Sequence, residues 1–520
     1  MSKQFNIGPK RDPRRFLVTD VYQGVEDLYQ ENISSFLTMV TLLGRDLGIP
    51  KDIAEKTIKY YLVGIFNDGQ NKFLLKPRIF KSSLIYFIAG VYFFIFSLVG
   101  RKTKKIREYE VLFDNCFSET VDENYEDLIE RLCDRNIAIL QTYIVGANKY
   151  ADSKNKNREK KFCSSNLLEK IAVDSRIKGN FCKDISKNIY KSIFTNFWRY
   201  AKLNSGLGID ILQLSIRIYK SIAQFSTEID GVNSKVLVSF NDNGFGPLRY
   251  YIYKKNFNNI FVIQNGYRFG GESNRLGDMY LHSDYYFGFG IRNIEIQKGM
   301  VCKKKAGVGS LRLHAAMGRD VNNESSDIQY DVIFLEQLSE FDVPAYKISS
   351  YKRCVKLLCE FAKKHKKLRI VYRTRLDRAD LHFFGDNIKN DVEVIDHMLK
   401  DSSVIISGDM QKCSYIEMAR ARVVVFYTST MGYEALGMGK KVINLNPDRF
   451  EMGLSQFDEL GVVVDLESSI FEEKLNKILN SDNEEIKKYY EKKKFEFMNT
   501  EFNIVDEICN AVEFELSVSS

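Results

Sequence analysis

Ala421–Pro447 reads ARVVVFYTSTMGYEALGMGKKVINLNP. Val423-Val424-Val425-Phe426-Tyr427 is a run of β-branched and aromatic residues, the pattern of a parallel strand buried on both faces. Three small hydroxyl residues follow, Thr428-Ser429-Thr430, then a helical segment from Met431 to Met438. Gly439 ends that helix, with Lys440 and Lys441 beside its negative end. A second strand, Val442 to Leu445, is closed by Pro447. The unit is strand–turn–helix–strand, and its turn lies at a strand carboxyl end, where open α/β sheets bind ligands.

The turn suits an anion. A helix amino terminus presents unpaired N–H groups and partial positive charge, so a phosphate fits there. Ser429 and Thr430 add hydroxyl donors, and Gly432 permits close approach to the backbone. Glu434, one turn further in, is placed to accept from a ribose or sugar hydroxyl. The plainer alternative is that Ser429 or Thr430 only caps the helix.

Taken whole, the pattern resembles the donor-nucleotide half of bacterial GT-B glycosyltransferases of surface polysaccharide (capsule and lipopolysaccharide type) biosynthesis. There a strand ends in small hydroxyl residues followed by glycine, glutamate, alanine and a Gly-Lys pair before the next strand. Here these are Thr428–Thr430, Gly432, Glu434, Ala435 and Gly439-Lys440. The resemblance covers Asp331–Leu466, extends less closely over Lys235–Arg312, and is absent from the first two hundred residues. It implies an α/β fold of two Rossmann-like domains facing a cleft, with a nucleotide-sugar as substrate and no cofactor.

The rest of the chain agrees with a large globular protein. Its 520 residues are enough for two or three domains. A net charge of +8 from 76 basic and 68 acidic residues is too weak an excess to imply nucleic acid, but suits phosphate-bearing substrates or anionic lipid. Nine dispersed cysteines without a C-x-x-C pair read as reduced thiols of a cytoplasmic protein. The five histidines have no metal-ligand spacing, and no apolar core follows the basic residues of Met1–Arg15, so no signal peptide is expected.

Residues 1–233 read as a mainly helical region, including Glu108–Tyr150 and Leu167–Phe225. Within it, Ser82–Gly100 (SSLIYFIAGVYFFIFSLVG) has no charged residue. As a helix it is about 28 Å long, near the hydrocarbon thickness of a bilayer. Lys76, Arg78 and Lys81 precede it; Arg101, Lys102, Lys104 and Lys105 follow. Three readings stay open: a buried core helix, a single span, or insertion into an anionic leaflet from one side. The last places the protein at the inner face of the cytoplasmic membrane.

From Ser234 strands alternate with helices, the mark of a doubly wound sheet. A first Rossmann-like domain spans 234–320. Its strands end or begin at polar clusters: Asn241-Asp242-Asn243-Gly244, Gln264-Asn265-Gly266 with Arg268 beyond, and His282-Ser283-Asp284. Each is also ordinary turn chemistry. A linker, Arg319–Gln329, leads to a second domain, 330–500, and 501–520 is a C-terminal tail or helix. In that domain the strand Leu368–Tyr372 ends at Arg373-Thr374-Arg375.

Glycosyl transfer requires stabilisation of a departing phosphate and, for inversion, a base for the acceptor hydroxyl. The chain has no Asp-Xaa-Asp triplet to hold a metal. The resemblance implies a helix terminus with arginine instead, which assigns the donor phosphate to Arg373, Arg375, Thr428, Ser429, Thr430, Gly432 and Glu434. Asp242 is the first candidate base, then Asp284 and His282; Gln264, Asn265 and Arg268 face the acceptor. The expected function is metal-independent transfer of a sugar to a surface glycan or lipid-linked acceptor. A nucleotide-sugar epimerase, a polyol-phosphate polymerase and a non-catalytic assembly protein are the alternatives.

Overall fold

The structure, a computed structural model, describes residues 18–66, 79–99, 104–115, 123–141, 169–172, 181–204, 210–242, 245–266, 280–296, 300–321, 327–337, 348–375 with 378, 386–407, 414–447, 461–480 and 484–518. It contains two wholly parallel sheets. The first has seven strands: β1 Arg107–Asn115, β2 Ile137–Gln141, β3 Glu169–Ala172, β4 Val232–Ser239, β5 Phe257–Ile263, β6 His282–Gly288 and β7 Val301–Gly307, in the order β3-β2-β1-β4-β5-β6-β7. The second has six: β8 Tyr330–Leu335, β9 Ile370–Arg373, β10 Ile405–Ser407, β11 Ala421–Phe426, β12 Lys441–Leu445 and β13 Val462–Val463, in the order β10-β9-β8-β11-β12-β13. Each order runs outward in both directions from a central pair, the Rossmann arrangement. The direction reverses between β1 and β4 in one sheet and between β8 and β11 in the other, and the crevice at such a reversal is where ligands bind. This is the two-domain GT-B architecture expected from the sequence.

Period-two alternation sorts the first sheet's side chains into two cores. Leu112, Leu140, Leu237, Ile260 and Val262 face the amino-terminal helices. Val111, Phe113, Ile139, Val236, Val238 and Phe261 face the C-terminal helix Ile504–Val518. That helix therefore crosses back from the second domain to complete the first, fixed at its rim by ion pairs Arg131–Asp506 and Arg135–Glu513. Glycines make room for the crossing chain: a Cβ on Gly309, itself at φ 94°, would lie 2.6 Å from the Asn499 carbonyl oxygen.

The reading of Glu108–Tyr150 and of the start of Leu167–Phe225 as helical is corrected. β1, β2 and β3 lie there, and β1 is central, hydrogen-bonded to both β2 and β4. Short apolar runs such as Ile137-Ala138-Ile139-Leu140 carry no period that separates strand from helix. Among the described residues, the helices of the amino-terminal region are Val18–Glu31, Ile33–Leu47, Lys51–Phe66, Ile79–Val99, Glu126–Arg131, Lys183–Asn204 and Ile211–Glu228.

Candidate functional site

β11 delivers the hydroxyl turn to the reversal point of the second sheet. Val423 to Tyr427 are fully buried, each such side chain contributing about 1.5–3 kcal/mol. The β12 residue Asn444 donates to the Tyr427 carbonyl at 2.6 Å and fixes the strand's exit. The helix Thr430–Gly437 starts next, with Ser429 in extended conformation at its amino cap. The Ser429 side chain makes no capping hydrogen bond, so the simple cap does not explain this serine. Thr428 is buried, and its Oγ1 has no hydrogen-bond partner. An unsatisfied buried hydroxyl costs about 1–3 kcal/mol, so its retention asks for a reason.

Gly432 has a different role from the expected one. A Cβ there would overlap the Phe426 ring, so the glycine seats the helix on β11 rather than opening a path to a ligand. Glu434 is also differently engaged. Its Oε1 accepts from Ser310 Oγ at 2.7 Å and its Oε2 from Tyr415 Oη at 2.8 Å, and the carboxylate is buried. Ser310 follows β7 and caps the helix Leu311–Ala316, accepting from the Leu313 N–H. Glu434 thus binds the first domain to the second; in this structure neither oxygen is turned to a sugar hydroxyl. Ser310 lies three residues beyond β7 and Glu434 in the middle of the helix that follows β11, so the two domains touch through these segments. A cavity of about 390 Å³ opens beside the contact, lined by Ser310, His314, Gly437, Thr500 and Asn503 among others.

Arg373 ends β9 but does not face outward. Its Nε lies 2.8 Å from Glu417 Oε2 and donates to Ser414 Oγ at 3.1 Å, in a buried ion pair. It is neither a surface charge nor an open phosphate clamp. Arg375 is exposed, and its backbone N–H donates to Glu336 Oε2 at 2.6 Å. Glu336, at the end of β8, also accepts from Tyr372 Oη and pairs with Arg378. Of the two arginines assigned from the sequence, Arg375 is thus the exposed one.

In the first sheet Asp242 is buried three residues beyond β4, at the β1/β4 reversal. Gln264 is structural: its Oε1 accepts from the Phe289 N–H and its Nε2 donates to the Gly266 carbonyl, tying the ends of β5 and β6. Asn265 is half-buried beside it, and Arg268 lies outside the described residues.

His282 and Asp284 are corrected. Both lie in the amino-terminal half of β6, which begins at His282 and not at Tyr285. At about 3.3 Å per residue His282 is roughly 20 Å from the strand's carboxyl end. Its Nδ1 pairs with the Tyr280 carbonyl at 2.8 Å, and burial pushes the imidazole down to about 4, so it is neutral at pH 7. Burial alone would raise the Asp284 pKa, but Lys303, Lys254 and the Ile260 N–H hold it below the usual carboxylate range. These are internal ties of β6 to its neighbours.

Two residues at the switch points, Asp114 and Glu336, escaped the sequence reading, and Ser310, beyond the edge strand β7, was given no role in it. Asp114, near the end of β1, accepts from Ser239 Oγ at 2.8 Å and lies 3.4 Å from buried Arg249; its strand was read as helix. Ser310 and Glu336 follow recognised strands, yet nothing local marks their partners, which are distant in sequence. Among the described residues no cluster of His, Cys, Asp and Glu is placed to hold a metal ion.

No protein-family model matches the sequence, and no curated protein matches it. Solved structures do resemble it in shape. A UDP-GlcNAc 2-epimerase of Methanocaldococcus jannaschii, in complex with UDP-GlcNAc and UDP, aligns with 78% of this chain and 100% of its own at 12% identity and a TM-score of 0.42. The S. aureus MnaA–UDP co-structure aligns with 79% and 97% at 11% identity and 0.42. The wall teichoic acid polymerase TagF, soaked with CDPG, aligns with 85% and 98% at 11% identity and 0.40. At these scores a shared activity does not follow from the shared shape.

Proposed function

We propose that the protein is a glycosyltransferase that moves a sugar from a nucleotide-sugar donor to a surface glycan or lipid-linked acceptor. One observation carries the reading. At the β8/β11 reversal a helix begins with Ser429 making no capping hydrogen bond and the buried Thr428 hydroxyl unpartnered. In this reading both hydroxyls donate to the donor's phosphate. The bond from the sugar's anomeric carbon to the phosphate oxygen breaks, its electron pair leaving with the nucleotide. The helix terminus and Arg375 stabilise that charge as it grows. The acceptor oxygen bonds to the anomeric carbon, and its proton passes to Asp242 from the facing domain.

His282 and Asp284 stand at the amino-terminal end of β6 and take no part in this reading. A nucleotide-sugar epimerase of the same fold is the second reading, since His314 pairs with Asp127 and lines the cavity at the domain contact. A polyol-phosphate polymerase would use the same phosphate turn. The test is incubation with UDP-, GDP-, CMP- and CDP-activated donors. Nucleotide release that depends on an added glycan or lipid acceptor, and falls at least roughly a hundredfold in Asp242→Asn, supports the reading. Interconversion of the donor sugar without transfer, or no turnover of any donor, overturns it.

A further inference from the structure

The helix Ile79–Val99 is not the buried core helix its composition would suit. One side is buried: Ser82, Tyr86, Gly90 and Phe93 pack inward. Its neighbour is Lys183–Asn204, which runs antiparallel to it, as Phe94 meets Tyr190, Phe87 meets Phe194 and Tyr86 meets Phe197. Gly90 lets the two backbones close, because a Cβ there would lie 3.0 Å from Ile193. The other side is equally apolar and faces out. Leu84, Phe87, Ile88, Val91, Ile95 and Leu98 are each between 37% and 58% exposed. They recur every three or four residues over four turns, a stripe of about 21 Å.

The neighbouring helix extends this stripe and gives it a charge. Lys187, Lys191, Phe194, Trp198 and Lys202 are spaced by three or four residues, so they share one face, and all are exposed. Trp198 is 78% exposed, beside the Leu84 end of the apolar stripe. Lys81 and Arg199 add positive charge at that end, and the one exposed acid on the two helices is Asp184. An uncharged apolar centre with an aromatic and a basic border complements an anionic bilayer surface.

We propose that these two helices dock the protein on an anionic lipid bilayer from one side, the apolar stripe entering the acyl boundary without crossing it. A lone span would strip the inner side from its partners. Ser82 donates to Asp210, whose carboxylate also caps the helix Ile211–Glu228 through the Gln213 N–H. That buried polar anchor keeps the helix in the bundle. The proposal does not depend on the sugar-transfer reading, since it uses none of those residues.

Trp198 is the only tryptophan, so intrinsic fluorescence reports this face alone. The full chain is mixed with vesicles of phosphatidylglycerol and phosphatidylcholine. Emission should shift to the blue, brominated lipid should quench it, and the protein should co-sediment. Phosphatidylcholine alone, or high salt, should weaken binding roughly tenfold or more. Phe87→Glu with Ile95→Glu places charge on exposed positions, so it should keep the parent melting temperature and lose co-sedimentation. The proposal is overturned by absence of any shift with anionic vesicles, by equal binding to phosphatidylcholine alone, or by a stable dimer that already shields Trp198 without lipid.

Discussion

Ser310 Oγ donates to Glu434 Oε1 at 2.7 Å, joining the residue that follows β7 to the helix that follows β11. Tyr415 holds the other carboxylate oxygen, so both oxygens of Glu434 are engaged, one of them across the two domains. The phosphate turn and the domain contact are thus parts of one short helix. Hydrogen bonds to a buried charge contribute about 1.5–3 kcal/mol each. Ser310→Ala and Glu434→Gln should each lower unfolding free energy by that order. The double variant should cost clearly less than their sum, with a coupling of about 0.5–3 kcal/mol. Denaturant titrations of the four proteins measure it; additive losses would mean that the bond does no work in solution.

Thr428→Val separates binding from stability. The valine removes a buried hydroxyl with no partner and keeps the shape. The protein without nucleotide should gain about 1 kcal/mol, while nucleotide affinity should fall roughly tenfold. A variant that loses stability would show that the hydroxyl has a structural partner in solution.

Arg373→Leu should behave as a folding defect. Removing one partner of a buried pair strands Glu417 and costs about 3–5 kcal/mol. Arg375→Ala, at an exposed position, should leave the melting temperature within a few degrees and weaken nucleotide binding. Calorimetric melting and nucleotide titration of both variants provide the comparison; a stable Arg373→Leu that fails only in turnover would restore the phosphate role to Arg373.

His282 predicts an acid-labile fold. Its pKa is about 4 when folded, against an ordinary 6.5. Between those values the unfolded chain binds the extra proton, so stability is full above about pH 6.5 and is lost as pH falls towards 4, by about 3 kcal/mol in all. Asp284, with a depressed pKa, adds to stability above the usual carboxylate range and loses that contribution only at lower pH. His282→Gln should flatten the upper window in a stability–pH profile. Were it instead to remove an activity limb and leave stability untouched, the histidine would belong to the chemistry.

The second domain was legible because each signal there is local. Val423 to Tyr427 are apolar without a break, and Gly439 ends the helix at φ 74° as its type suggests. The first domain was legible only from β4 onward. β1 enters with exposed Glu108 and half-buried Glu110, and just Val111 to Asp114 are buried in succession, too few for a period to emerge. The return of Ile504–Val518 to the first sheet depends on contacts hundreds of residues apart, visible in sequence only as glycines at 307 and 309. In the site, strand-end position was readable to within a few residues. That sufficed for Thr428–Thr430 and failed for His282 and Asp284, where a strand starting three residues early moved both to the wrong end. Orientation was not readable, so Arg373 and Glu434 were found but given ligands they do not face.

The phosphate role of the Thr428–Thr430 turn is most directly tested by calorimetric titration of UDP, GDP, CMP and CDP into the parent protein and a Thr428→Val, Ser429→Ala double variant. The account predicts that one nucleotide binds the parent and binds the folded variant roughly a hundredfold more weakly, two hydroxyl contacts at about tenfold each. Equal affinity in the two proteins, or no binding of any of the four to the parent, would contradict it.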